Sequence, residues 1–174
     1  MNAKTPLLAT PRLILKDYTA ADKDAMVDLL MNREITRTFM IPDFESREQA
    51  ETYFDRLLAF YTTGKHIEYG VYLDGKLIGF FNDCGGDEDE IEVGYVIDPA
   101  YKGHGYATEV LTAAISELFR MGYRHVVASF FEENIASCRV MQKSGMHLLD
   151  RTEDLEYKGQ TKHCIFYGID NPEM

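Results

Sequence analysis

The sequence contains no tryptophan, only three cysteines among 174 residues, and no long apolar run. Cys84, Cys138 and Cys164 are odd in number and widely spread, which predicts free thiols in a reducing compartment rather than a disulfide framework or a zinc cluster. No window approaches the roughly 18 apolar residues that a membrane-spanning helix needs. Met1–Thr10 lacks the basic and apolar regions of a signal peptide. We therefore expect a cytoplasmic protein with no membrane partner.

Basic residues are also scarce, because 18 Lys and Arg stand against 29 Asp and Glu and leave a net charge of −11. A nucleic-acid-binding protein normally presents a basic face, so we expect no nucleic-acid partner. The acid excess either attracts a cationic partner or serves solubility. With 45% hydrophobic residues and no repeat or linker, residues 1–174 are predicted to form one domain. The histidines stand at no metal-ligand spacing, so no metal is predicted.

Hydrophobic periodicity and capping residues predict a mixed α/β sheet with one strand–helix–strand crossover at its centre. Thr19 with Asp22 and Ser46 with Gln49 are expected helix caps, and Asp74-Gly75 is a strong hairpin signal. A polar turn is predicted over Asp83–Glu90. The predicted strands are Arg12–Lys16, Ile67–Leu73, Lys76–Phe81, Ile91–Ile97, Arg124–Phe130, Met146–Thr152 and Thr161–Ile169. The two later helices are predicted over Tyr106–Met121 and Ile135–Lys143.

The most informative stretch joins the strand Ile91–Ile97 to the helix that begins at Tyr106. Its loop contains Gly103 and Gly105, which let the backbone approach a ligand closely, and the first N–H groups of the helix favour a phosphate. The pattern indicates either a phosphate-binding loop or a tight strand-to-helix turn. It departs from the dinucleotide fingerprint, because Thr108 stands where a third Gly or Ala belongs, and it lacks a Walker Gly-Lys-Ser/Thr.

Lys102-Gly103-His104-Gly105-Tyr106-Ala107 resembles the acetyl-CoA pyrophosphate loop of the GNAT superfamily of N-acetyltransferases, Gln/Arg-x-x-Gly-x-Gly/Ala. Three further segments, in the same order as in the family, resemble its RimJ/RimL-like branch. They are Thr10–Lys16 with Asp22, Glu92–Pro99 and Asn134–Gly145. Two departures stand out. Lys102 replaces Gln or Arg and loses the planar guanidinium fork, and Met146 stands where the family usually has Phe.

The resemblance implies the GNAT fold, in which the fourth and fifth predicted strands splay apart at a bulge near Tyr95. It also implies acetyl-CoA as co-substrate, with no metal. Asn134 could equally be a plain helix cap, and His104 and Lys143 could be plain surface residues. The cofactor-binding residues that the resemblance implies are Val96, Ile97, Lys102, Gly103, His104, Gly105, Tyr106, Ala107, Thr108, Asn134 and Lys143.

The implied reaction moves an acetyl group from the thioester to an amine by direct attack. Glu92 is the predicted general base, because a carboxylate can take the proton of an ammonium group; the alternative is a solvated carboxylate at a strand end. Ser137 is the second predicted catalytic residue, as a weak donor to the sulfur or a relay through water. Many family members have a tyrosine as general acid at the position of Met141.

The acceptor is predicted to be a primary amine: a protein N-terminal amine, a polyamine or another small cationic amine. Acids from Asp83 to Glu92 would attract such an amine, and Phe39 in the apolar loop Thr36–Phe44 would wall its site. Phe39 could instead only anchor that loop to the core. The protein would act as a monomer or homodimer. The competing functions are a non-catalytic CoA-binding sensor or regulator and a phosphate-loop nucleotide binder.

Overall fold

The computed structural model describes residues 3–174. Its strands are β1 (Leu7–Ala9), β2 (Ile14–Lys16), β3 (Glu68–Leu73), β4 (Lys76–Gly86), β5 (Glu90–Ile97), β6 (His125–Phe131), β7 (His147–Tyr157) and β8 (Gln160–Asp170). Its helices are α1 (Lys23–Leu30), α2 (Arg33–Thr36), α3 (Arg47–Tyr61), α4 (Tyr106–Met121) and α5 (Ile135–Lys143). Two 3-10 turns span Ala20–Asp22 and Pro99–Tyr101.

These elements form two compact units. The N-terminal unit comprises residues 6–82 and 95–106, and the C-terminal unit comprises residues 3–5, 83–94 and 107–174. The chain passes from one unit to the other within β4 and again within β5.

In the N-terminal unit, β1 to β4 are antiparallel neighbours in chain order. The last residues of β5 lie against β4, because the Asp98 N–H donates to the Ile78 carbonyl at 2.7 Å. Gly79 in β4 is required at this contact. A Cβ at Gly79 would lie only 2.1 Å from the Val96 carbonyl oxygen, so no larger residue fits there.

The core of the N-terminal unit lies between this sheet and the helices α1 and α3. The predicted cap at Thr19 is confirmed, since Thr19 and Asp22 form a reciprocal capping box. Ser46 also accepts from the Gln49 N–H as expected. Tyr72 fastens the capped turn to β3, because its hydroxyl donates to Asp22 at 2.9 Å. The buried members of this core include Met26, Val27, Leu30, Ala50, Phe54, Phe80 and Val96.

In the C-terminal unit, β5 and β6 are parallel, whereas β6–β8 and β7–β8 are antiparallel. The parallel pair is joined through α4, the crossover that the sequence predicts. The predicted fold class, a mixed α/β sheet with flanking helices, is therefore confirmed. The bounds of α4 and α5 also agree with their predicted bounds. A separate apolar cluster in this unit contains Phe131, Cys164 and Phe166.

Several elements differ from the sequence-based expectation. The first predicted strand is shorter, and the strand β1 and the four-residue helix α2 were not predicted, because such short pieces carry no periodicity. The expected polar turn over Asp83–Glu90 was too long, since β4 extends to Gly86. The β7–β8 hairpin is also longer than expected, because cross-strand pairing extends over polar residues whose composition resembles a loop.

Within residues 3–174, no helix is both long and apolar enough to cross a membrane. The same residues contain no group of three or more His, Cys, Asp or Glu arranged to hold a metal ion. Cys84 is exposed, Cys138 is half-buried and Cys164 is buried.

One buried carboxylate ties the start of the C-terminal unit to α4. Glu117 is 4% exposed and accepts hydrogen bonds from Arg120 and from the backbone and hydroxyl of Thr5. The hydrogen bond from Arg120 is the main reason why the pKa of Glu117 is lowered from its usual value. A lowered pKa means that the ionised carboxylate stabilises the fold above the pKa of the unfolded chain, and that this stabilisation is lost as the pH falls.

We predict that Glu117→Gln lowers the free energy of unfolding by about 2 kcal/mol at pH 7, the scale of hydrogen bonds to a charged group. The difference from the unmodified protein should narrow as the pH falls below about 4.3, where the unfolded glutamate protonates. Chemical denaturation at several pH values measures it. The exposed Glu88 provides the control, since Glu88→Gln should leave stability nearly unchanged. A loss for Glu117→Gln that is constant with pH would contradict this account.

Candidate active site

The loop that follows β5 has the conformation that its two glycines permit. Gly103 has φ +80° and Gly105 has φ +81°, in the left-handed region that residues with a Cβ rarely adopt. The preceding 3-10 turn is capped by Asp98, whose carboxylate accepts from the Ala100 N–H at 2.9 Å. The Nδ1 atom of His104 lies 3.0 Å and 3.1 Å from the carbonyl oxygens of Lys102 and Tyr101. Contacts between side chains and backbone groups of the loop itself therefore order this exposed segment.

Arg12, which lies between β1 and β2, contacts this loop. Its guanidinium donates to the His104 carbonyl at 2.8 Å and lies 4.5 Å from the centre of the Tyr106 ring. The rings of His104 and Tyr106 stack on each other, with centroids 5.6 Å apart. Arg12 belongs to the family-like segment Thr10–Lys16, but no role was predicted for it. The contact joins residues 92 positions apart, so no local pattern reveals it.

Lys102 is exposed and forms an ion pair with Glu34 of α2 at 2.6 Å. An ion pair at the protein surface contributes about 1 kcal/mol or less, so a phosphate could compete for this ammonium group. The next predicted cofactor residues upstream are Val96 and Ile97. Val96 is buried and its carbonyl lies against Gly79, whereas Ile97 is half-buried.

Glu92 lies on β5 in the C-terminal unit and is half-buried. Its carboxylate accepts a hydrogen bond of 2.7 Å from the hydroxyl of Ser129 on β6. Within the part of the chain that the structure describes, Glu92 forms no ion pair. Ser129 was not among the residues predicted from sequence.

Most other acids near Glu92 are already engaged. Asp87 accepts from the N–H groups of Asp89 and Glu90, and these bonds lower the pKa of Asp87. Asp89 pairs with Arg124 at 3.3 Å, and Glu90 pairs with Arg151 at 3.0 Å. The acidic segment is therefore largely a bonded turn, and Glu92 differs from Asp89 and Glu90 in having a hydroxyl instead of an arginine as its partner.

The first turn of α5 brings Asn134 and Ser137 together. The Asn134 side chain accepts from the Ser137 N–H at 3.2 Å, so Asn134 is a helix cap, as one of its two interpretations required. Ser137 is half-buried. Further along α5, the thiol of Cys138 and the amide of Gln142 contact the Tyr167 hydroxyl at 3.6 Å and 3.2 Å. The Cys138 side chain thus faces Tyr167 of β8.

The remaining predicted site residues lie on three segments of the chain. Lys143 is exposed in the last turn of α5. Asp83 is half-buried, and its charge, together with burial, raises the pKa of Tyr123. Phe39 packs edge-on against Phe80, with ring centroids 5.5 Å apart, which agrees with its interpretation as an anchor of the apolar loop.

Comparisons with known proteins agree with this arrangement. The family model of the acetyltransferase (GNAT) domain matches residues 12–147. The uncharacterized N-acetyltransferase YoaA of Bacillus subtilis is 34% identical over 145 residues, which cover 80% of this chain and 82% of YoaA. The matched region begins at Arg12 and includes the glycine loop, Glu92 and α5.

Solved structures show the same fold at low sequence identity. A GNAT-family acetyltransferase from Bacillus anthracis superposes with a TM-score of 0.82 at 22% identity, over 95% of this chain and 98% of that one. RimL, a ribosomal L7/L12 alpha-N-protein acetyltransferase solved with coenzyme A, superposes with a TM-score of 0.83 at 17% identity, over 94% of this chain and 97% of that one.

We predict that Arg12→Ala loosens the glycine loop without unfolding the protein, because the carbonyl of His104 and the ring of Tyr106 lose the same partner. Hydrogen exchange of peptides that cover residues 102–106 should become about tenfold faster, which corresponds to about 1.4 kcal/mol of lost local stability. Arg33 offers a matched exposed arginine away from these contacts, and Arg33→Ala should leave exchange in the loop unchanged. Equal exchange in Arg12→Ala and the unmodified protein would contradict the bracing role.

Proposed function

Because this chain belongs to the GNAT acetyltransferase family, we propose that it transfers the acetyl group of acetyl-CoA to a primary amine. The protein is an acyltransferase by its family. The observation that carries the proposal is the left-handed backbone at Gly103 and Gly105 directly before α4. This arrangement leaves the N–H groups at the start of a helix to bind a pyrophosphate, and the helix dipole adds to that attraction.

In this proposal the backbone of residues 103–108 binds the pyrophosphate of the cofactor. Lys102 adds positive charge at the same loop, the His104 side chain contacts the phosphate, and Lys143 takes the 3′-phosphate. The Asn134 amide also contacts the cofactor while its oxygen caps α5. Backbone groups of Val96 and Ile97 pair with the pantetheine arm. Since the Val96 carbonyl already lies against Gly79, Ile97 offers the freer backbone for this pairing.

The proposed chemistry is direct attack of the amine on the thioester carbonyl. The nitrogen forms a bond to the carbonyl carbon, the carbon–sulfur bond then breaks, and CoA leaves as a thiolate. The ammonium proton goes to Glu92, which can accept it because its own partner is a hydroxyl and not a cation. The thiolate takes a proton from water, with Ser137 as a donor or relay. A backbone N–H directed at the developing oxyanion would stabilise the transition state.

The acceptor class is a cationic amine, either a protein N-terminal amine, a polyamine or another small amine. The negative charge of the whole chain favours such a substrate at long range. RimL, whose fold this chain shares, is described as an alpha-N-protein acetyltransferase. Peptides with free N-termini are therefore the first acceptors to test. We place the reaction in the cytoplasm, because three widely spread cysteines, an odd number, suit a reducing compartment.

The direct test is release of free CoA thiol when the purified protein is mixed with acetyl-CoA and a panel of amines. The panel contains short peptides with free N-termini, polyamines and amino sugars, with N-acetylated peptides as matched controls. The proposal expects thiol release with at least one free amine and none with its acetylated form. Tight CoA binding without release for any amine would favour a sensor, and binding of ATP or NAD without CoA would favour a nucleotide binder.

We predict that Gly105→Val lowers acetyl-CoA affinity at least tenfold, because a Cβ strains the left-handed backbone and obstructs the approach of the pyrophosphate. Gly75 supplies a matched control, since its φ is +80° and a Cβ there would meet nothing within 4 Å, whereas a Cβ at Gly105 would make only an ordinary contact of 3.5 Å with Arg12. Gly75→Val should therefore cost similar stability but leave affinity unchanged. Calorimetric titration of both folded variants measures the difference. Equal affinity in the two variants would remove the loop from the cofactor site.

We predict that Glu92→Gln slows turnover by about 100-fold, the lower end of general-base catalysis. The loss should be largest well below the pKa of the acceptor, about 8 for an α-amino group, and should shrink as the pH rises and free amine appears. Acetyl-CoA affinity should stay constant. Glu90→Gln is the control, since Arg151 already neutralises that carboxylate. A loss that is equal at all pH values would assign Glu92 to acceptor binding instead.

A further inference from the structure

Ser129 is the only side chain with a hydroxyl in β6, and it interrupts an otherwise apolar run from Val126 to Phe131. A buried or half-buried hydroxyl in a strand requires a hydrogen-bond partner. Its partner is the Glu92 carboxylate, at 2.7 Å. The hydrogen bond therefore accounts for a serine at a position where the neighbouring residues are Ala128 and Phe130.

The strand register explains why this serine and this glutamate meet. The parallel pairing of β5 with β6 runs from Glu90 with His125 to Glu92 with Val127, the last pair among the described residues. Ser129 lies two residues beyond Val127 and on the same face of β6. The Glu92 side chain thus reaches diagonally along the neighbouring strand, just past the last backbone pair, and the serine fixes its direction.

The charges around Glu92 set it apart from its neighbours on this face. Glu90 on the same strand is paired with Arg151 of β7, whose guanidinium lies 4.1 Å from the ring centre of Phe166 on β8. Burial and the charges of Glu153, Glu92, Asp154 and Glu133 raise the pKa of the Cys164 thiol on β8, so each of these carboxylates lies near that thiol. Lys162 and His163 of β8 are each paired with another carboxylate, Lys162 with Glu133 and His163 with Asp154. Ser129 is thus the polar group that orients the carboxylate.

We propose that Ser129 is the positioning residue of the catalytic base, holding the Glu92 carboxylate in the direction from which it takes the proton of the amine. This inference rests on the proposed function of Glu92. Ser129 itself does not take or give the transferred proton. Its hydroxyl donates to the carboxylate at 2.7 Å, which limits the rotation of that side chain.

The test is a double-mutant cycle of Ser129→Ala and Glu92→Gln, measured as turnover against pH. Ser129→Ala should lower kcat about tenfold well below the pKa of the acceptor amine, where the base is needed, lower it less as free amine appears at higher pH, and leave KM for acetyl-CoA unchanged. Ser129→Thr keeps the hydroxyl on a strand-compatible residue and should restore both kcat and the profile. In the Glu92→Gln background, Ser129→Ala should have no further effect.

The experiment includes one control variant and one replacement variant. The exposed Ser116 of α4 donates only to the Thr112 carbonyl, so Ser116→Ala should leave the profile unchanged. If Ser129→Ala fails to fold, Ser129→Cys replaces it, since a thiol has nearly the same shape but is a weak donor.

Unchanged kinetics in folded Ser129→Ala, or an equal loss with and without Glu92, would overturn the positioning role alone. Normal turnover and a normal profile in Glu92→Gln would overturn the catalytic role of Glu92 and the positioning role with it.

Discussion

The backbone conformation of Gly103 and Gly105 is the constraint on which the proposed cofactor site depends. Both residues have φ near +80°, a conformation that costs a residue with a Cβ roughly 1–2 kcal/mol. Because the glycines accept it, the chain leaves β5, forms the 3-10 turn Pro99–Tyr101 and starts α4 within a few residues. Arg12 then braces the loop through one carbonyl and one aromatic ring. Two of the family-like segments, Thr10–Lys16 and the glycine loop, are thus joined by direct contacts.

The acidic residues near Glu92 have separate roles, which follow from their hydrogen-bond and ion-pair partners. A net charge of −11 indicates only that a cationic partner is favoured. Near Glu92, however, Asp87 closes a turn, Asp89 binds Arg124 and Glu90 binds Arg151. Exposed pairs of this kind contribute little stability, but they neutralise carboxylates that would otherwise compete for an amine. Glu92 has a neutral hydroxyl as its partner, which suits the role of general base that we propose for it.

Local signals were sufficient for the long elements and for the loop. The α4 and α5 bounds, the caps at Thr19 and Asn134, and the strand-to-helix turn follow from periodicity and from residue types within a few positions. The contacts that define the site were beyond such reasoning. Arg12 meets His104 across 92 positions, and Ser129 meets Glu92 across 37, so these contacts depend on the tertiary fold and not on local propensity. The three-residue β1 and four-residue α2 were missed because they are stabilised by neighbours.

The central claim is that the backbone of residues 103–108 binds the pyrophosphate of the cofactor. Titration of the 15N-labelled protein with acetyl-CoA, followed through its amide resonances, tests this most directly. The account predicts that the amides of Gly103, Gly105 and the first turn of α4 shift together and saturate with one affinity, whereas the amide of Gly75 in the β3–β4 hairpin does not move. Saturable binding that leaves the amides of residues 103–108 unshifted would contradict it.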